Sequence, residues 1–106
     1  MNDREFNALS DAALARIEVA LEVCGADLDF ETAGNGVLEI EFGDDSKIVV
    51  NRHAVAQEIW VAARSGGFHY RWDGQVWRNT RDACELMADL SRLVSEQSGE
   101  SVTLAG

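Results

Sequence analysis

A chain of 106 residues with 46% hydrophobic content can enclose one apolar core but not two, so a single domain spanning residues 1–106 is expected. Its formal net charge of -10 excludes the usual nucleic-acid binder, which needs clustered Lys and Arg to displace phosphate counterions, and leaves cationic partners or plain solubility as its uses. The longest apolar run, Ile59 to Ala63, is far short of the roughly 18 residues that span a bilayer. Met1-Asn2-Asp3-Arg4-Glu5 also lacks the basic and apolar regions of a secretory signal, so no membrane contact and a cytoplasmic location are expected.

The charge is uneven, with 12 acids against 3 bases in residues 1–50 and 7 against 6 in residues 51–106, so the first half carries the negative field. Cys24 and Cys84 form neither a C-x-x-C pair nor a Cys/His metal spacing, and both read as reduced, partly buried thiols.

Phe6, Leu9, Ala13, Ile17, Leu21 and Cys24 recur three or four apart and predict an amphipathic helix over residues 3–24. Asn2 or Asp3 supplies its cap, Glu5 completes a capping box with Asn2, and Gly25 ends it. From Asp27 the period becomes two. Leu28, Phe30 and Thr32 alternate with Asp27, Asp29 and Glu31, and Leu38, Ile40 and Phe42 alternate with Glu39 and Glu41. Gly34-Asn35-Gly36 joins these two strands, and Gly43-Asp44-Asp45-Ser46 leads into a third, Lys47 to Asn51. Further strands are read at Glu58–Arg64, Phe68–Trp72 and Val76–Arg78, the last after an Asp73-Gly74 turn. A second helix over Asp82–Ser98 aligns Leu86, Leu90, Leu93, Val94 and Gln97, with Asp82 and Glu85 as its capping pair and Gly99 as its stop. Val102 to Leu104 reads as a last strand. No helix separates the central strands, so the fold class is α+β. The expected architecture is a two-layer sandwich: an antiparallel sheet of about six strands with both terminal helices packed on one face.

No phosphate loop, dinucleotide fingerprint, H-E-x-x-H or nucleophile–base pair occurs, so no catalytic residue is assigned and a binding protein is expected. The candidate site is made of carboxylates. Asp11, Glu18 and Glu22 share one exposed stripe of the first helix, where Glu18 and Glu22 repel at i,i+4 and Glu22 sits at the unfavourable end of the helix dipole. Asp27, Asp29 and Glu31 continue the negative surface along the first strand. Oxygen-only ligands suit hard cations, iron among them, whereas zinc or copper recruits His or Cys. The same acids also serve solubility and protect an edge strand from pairing, and spacing alone leaves both readings open. Strand parity sends Trp60 to the face without helices, beside Glu39, Glu41, Asn51, His69 and Arg71. An exposed Trp there fits a protein-docking anchor, and a Trp covered by its neighbours fits equally well.

Several runs carry a resemblance: Gly36-Val37-Leu38-Glu39-Ile40-Glu41-Phe42, Ser46-Lys47-Ile48-Val49-Val50-Asn51-Arg52, Ile59-Trp60-Val61-Ala62-Ala63 and Gly66-Gly67-Phe68-His69-Tyr70. In these, and over essentially its whole length, the chain resembles the frataxins, specifically their bacterial CyaY-type branch. The resemblance implies the two-layer fold, a bacterial cytoplasmic protein that is monomeric without iron, and weak binding of Fe²⁺ and Fe³⁺ with no tightly bound cofactor. It implies iron ligation by Glu18, Glu22, Asp27, Asp29 and Glu31, joined by Asp11. It also implies regulation of iron–sulfur cluster assembly, or iron donation to it, through binding of the cysteine desulfurase and the scaffold protein. Glu18, Glu22, Asn51, Arg52 and Trp60 would make those contacts. The alternative it carries is a ferroxidase that stores iron in oligomers. The chain departs from the pattern at Val19, Val23 and Ala26, where bacterial relatives often carry acids, at His53, where they carry Gln, and in having no proline.

Overall fold

The computed structural model describes residues 1–34 and 36–104. Helix α1 (Asp3–Val23) is followed by strands β1 (Leu28–Thr32), β2 (Val37–Phe42), β3 (Lys47–His53), β4 (Glu58–Ala63), β5 (Gly66–Trp72) and β6 (Trp77–Asn79), and then by helix α2 (Leu86–Ser98). Every neighbouring pair of strands is antiparallel, and the strands lie side by side in chain order, the meander that short links between strands dictate.

Register decides which face becomes core. Leu38, Val50, Val61 and Phe68 line up across β2 to β5, Ile40 stands opposite Ile48, and Ile59 stands opposite Tyr70. Against this apolar face pack Phe6, Ala13, Ile17 and Leu21 of α1 with Leu86, Leu90, Leu93 and Val94 of α2, all buried in one cluster. The alternate residues of each strand face away from both helices, so the sheet keeps one open side. Two polar ties orient α2. The Tyr70 hydroxyl and the Asn79 amide donate to Asp89 Oδ2 at 2.7 and 3.2 Å in the buried layer. Near the other end of α2, Gln97 accepts from the Arg64 backbone N–H at 3.0 Å and donates to the Lys47 carbonyl at 3.2 Å.

The Asn2 side chain accepts from the Glu5 N–H at 2.8 Å and opens α1, as its sequence implies. Of the Gly34-Asn35-Gly36 link, Asn35 lies outside the described residues. Gly36 is the position where a side chain would not fit: its φ is +79°, and a Cβ there would lie 2.7 Å from Arg52 Nε.

Two expectations are corrected. Helix α2 begins at Leu86 rather than Asp82, and Glu85, not an Asp82–Glu85 pair, caps it by accepting from the Met87 N–H at 2.7 Å. Asp82 instead accepts from the Cys84 N–H at 3.0 Å in a turn where Ala83 takes φ +62°, a conformation that no helix continues through. Residues 102–104 form no strand. Val102 and Leu104 are buried, and their N–H groups donate to Ser95 Oγ and Ser91 Oγ at 2.9 and 2.8 Å, so helix side chains replace a strand partner.

Candidate functional site

The helix contribution to the acidic surface comes from the flank of α1 beside its buried stripe, where Asp11 and Glu22 are exposed but Glu18, expected on the same exposed stripe, is half-buried. Asp11 and Glu18, two turns apart, border a depression of about 190 Å³ closed on the other side by Thr32, Gly34, Gly36 and Val37. Asp11 forms an ion pair with Arg52 Nη1, so one of the six expected ligands already has a cationic partner. Glu22 is exposed on the last turn of α1, where no basic residue answers it.

The strand contribution lies on the open face. Asp29 and Glu31 stand directly opposite Glu41 and Glu39, and the four carboxylates line a shallow depression of about 100 Å³ at the sheet edge. Like charges directly opposed across strands are destabilising, and Lys47, 3.4 Å from Glu41, answers one of them. Asp27 precedes the strand, and its backbone N–H donates to Glu100 Oε2 at 3.0 Å, which brings a further acid from beyond α2 to the junction of α1 and β1. Glu39, Glu41 and Glu100 are therefore members of this surface that spacing along α1 and β1 did not reveal. The alternation in β2 signals the first two once the hairpin register is known, whereas nothing local signals Glu100. Among the described residues no three His, Cys, Asp or Glu side chains are arranged to hold a metal ion, so the surface offers dispersed, solvated oxygens rather than a preformed chelate.

The docking residues divide. Asn51 stands opposite Trp60 on the open face, but Arg52, the next residue along β3, points to the helix side, its side chain 21% exposed and paired with Asp11. The period of a strand forbids the two from sharing a surface. Trp60 is half-buried. His53 and His69 stack on its two faces at centroid distances of 3.9 and 4.5 Å, nearly parallel to it, and its Nε1–H donates to Glu58 Oε1 at 2.8 Å. The indole presents an edge to solvent, not a face. Glu58 anchors the group: 6% exposed although it lies on the open side, it also accepts from Arg71 Nε at 2.7 Å and has His69 Nδ1 at 3.4 Å. Burial raises its carboxyl pKa, but the hydrogen bonds from Trp60 and Arg71, with the charges of Arg71 and His69, outweigh that and hold it below the ordinary value.

Both cysteines are free, as expected, but Cys84 is exposed rather than partly buried. Its hydrogen bond to Asp82 pushes the thiol pKa up, which disfavours the nucleophilic thiolate.

With this geometry, residues 1–100 match the family model of the frataxin-like domain. The chain belongs to the frataxin family. It is 67% identical over 104 residues to the iron-sulfur cluster assembly protein CyaY of Dechloromonas aromatica, covering 98% of this chain and 99% of that protein. The protein of the same name from Herminiimonas arsenicoxydans is 51% identical over 108 residues, covering 98% and 96%. The solved frataxin of Psychromonas ingrahamii superposes with a TM-score of 0.91 at 33% identity, over 100% of both chains. The frataxin resemblance and the α+β sandwich read from the sequence therefore both hold. The relatives are named as assembly proteins, which fits a role other than catalysis. No helix of the described residues is long and apolar enough to cross a membrane.

Proposed function

We propose that the chain is an iron-binding protein of iron–sulfur cluster assembly that docks on the cysteine desulfurase and its scaffold protein and regulates their work or donates iron to it. The observation that carries this reading is the pair of like-charged contacts at the sheet edge, Asp29 facing Glu41 and Glu31 facing Glu39, an arrangement whose repulsion a cation relieves. The names of the relatives support the pathway.

Ferrous or ferric iron, a hard cation carried as cargo, would be met by oxygens of Glu18, Glu22, Asp27, Asp29 and Glu31, with Glu39, Glu41 and Glu100 adding to the field. Exposed carboxylates that keep their water bind weakly and release easily, which suits transfer more than storage. Asp11 would join only by giving up Arg52. The same acids would attract a basic patch on the desulfurase, while Asn51 and the edge of Trp60 form a second contact on the open face. Calorimetric titration of the desulfurase with the parent protein and with Glu18→Lys/Glu22→Lys tests the docking. The charge-reversed protein should bind more weakly, and the parent's affinity should fall as salt screens the contact. Equal affinity for both proteins at every salt concentration would overturn the reading.

A further inference from the structure

Trp60 stands on the face of the sheet that no helix covers, yet its indole has little freedom to turn. His53 of β3 and His69 of β5 lie one on each side of it, inclined to its plane by only 12° and 10°. The register explains how they reach it: His69 is directly opposite Trp60, and His53, opposite Glu58, comes from the diagonal position. The third restraint is the Nε1–H bond to Glu58, a carboxylate that Arg71 Nε holds in turn at 2.7 Å. His53 is itself fixed, since its Nδ1 accepts from the Ala56 N–H at 3.3 Å, which leaves the proton of the neutral ring on Nε2. Two stacked rings and a hydrogen bond therefore restrain both side-chain torsions of the tryptophan.

This order is built outside the apolar core, whose residues lie on the other face. It is also built on a carboxylate that is 6% exposed, an environment that disfavours its charge. The row next along the sheet, Val49, Ala62 and Gly67 in register, carries no long side chain, so the indole edge remote from Glu58 stays within reach of another molecule. A rigid aromatic ring beside a low floor suits a docking anchor, because a side chain that must be ordered on binding takes away part of the affinity.

We infer that His53 and His69 are positioning residues for docking, which act through Trp60 by holding its indole edge outward so that an apolar side chain of the partner packs against that edge over Val49, Ala62 and Gly67. The inference rests on the reading that the open face docks on the desulfurase and its scaffold protein. The property it requires of residue 53 is a flat ring, not a charge, so a phenyl group should replace the imidazole.

The test is a calorimetric titration of the desulfurase–scaffold complex with the parent, Trp60→Ala, His53→Ala and His53→Phe proteins. The Trp60 indole N–H resonance of each free ¹⁵N-labelled protein that retains the tryptophan reports its order separately. His53→Ala should shift or broaden that resonance and weaken binding roughly three- to tenfold, the range expected when one more side chain must be ordered on binding. His53→Phe should restore both. His69→Ala should act in the same direction as His53→Ala and takes its place if that variant fails to fold. Equal binding by Trp60→Ala and the parent would overturn the docking contact and this inference with it. Weaker binding by Trp60→Ala, joined to unchanged or tighter binding by His53→Ala, would leave the contact standing and overturn the positioning role, as would a loss that His53→Phe does not restore.

Discussion

Replacing Glu58 by alanine removes a carboxylate buried on the open side of the sheet and, with it, the group that holds Trp60 edge-on. The Trp60 indole N–H loses a charged acceptor at 2.8 Å, an interaction whose loss is of the order of 1.5–3 kcal/mol. The contacts to Arg71 and His69 add little, because those side chains are 68% and 49% exposed and solvent screens them, about 1 kcal/mol at most. Relief of the carboxylate's own desolvation acts the other way, so a net loss of about 1–3 kcal/mol is expected. The pH dependence has a definite sign. A carboxyl held below its ordinary value of 4.5 in the folded state stabilises fully above that value, and its contribution disappears as pH falls through the lower, folded one. Urea denaturation of the parent, Glu58→Ala and Glu58→Gln proteins at several pH values measures this, with the Trp60 indole N–H resonance as a local probe. Glu58→Gln keeps an acceptor for the indole and should fall between the other two. The differences among the three should narrow in acid. Equal stability of all three proteins, with an unmoved indole resonance, would refute the anchoring role of Glu58.

Tyr70→Phe should cost about 1.5–3 kcal/mol, since the hydroxyl donates to the buried Asp89 carboxylate at 2.7 Å. Burial first, and then Asp89, raise the Tyr70 pKa above its ordinary 10.0, so the stability it adds is complete below that pH and lost as pH rises beyond it. The phenylalanine protein should therefore show a flatter alkaline limb in denaturant midpoints, and an identical limb would contradict the assignment. The Asp73 carboxyl is lowered to about 2 by the N–H groups of Val76 and Gln75 and then by Arg78, so Asp73→Asn should be less stable than the parent at neutral pH. That difference should shrink as pH falls from the unfolded value of 3.8 toward 2, and a difference independent of pH would show that the charge does not matter.

The legible part of the fold follows from local sequence pattern. The spacing of Phe6, Ala13, Ile17 and Leu21 needs only a helix beside a core, and the alternation from Leu28 to Phe42 needs only hairpins, so both elements and their faces are legible. Asp82, a good cap in isolation, predicts a start of α2 four residues too early, because it is diverted into the Cys84 turn. The segment Val102–Leu104 has strand composition but finds two serine hydroxyls on α2 before it finds a strand, a contact that sequence spacing does not encode. The site was legible to the same depth. Acids on α1 and β1 emerge from periodicity, and the facing Glu39 and Glu41 require the register. Glu100, 73 positions from Asp27, requires the tertiary fold. Trp60 shows the limit from the other side: parity placed it on the open face correctly, but the two imidazoles that cover it come from β3 and β5 and only cross-strand pairing brings them there.

The most direct test of the acidic surface is an anaerobic titration of ¹⁵N-labelled protein with ferrous iron, read as paramagnetic broadening of individual amides. Broadening should begin at Glu18, Glu22, Asp27, Asp29 and Glu31 and extend to Glu39 and Glu41 across the hairpin, while Arg71 and Arg78 at the far edge stay sharp. Broadening centred on His53 and His69, or spread evenly over the chain, would contradict iron binding by these carboxylates.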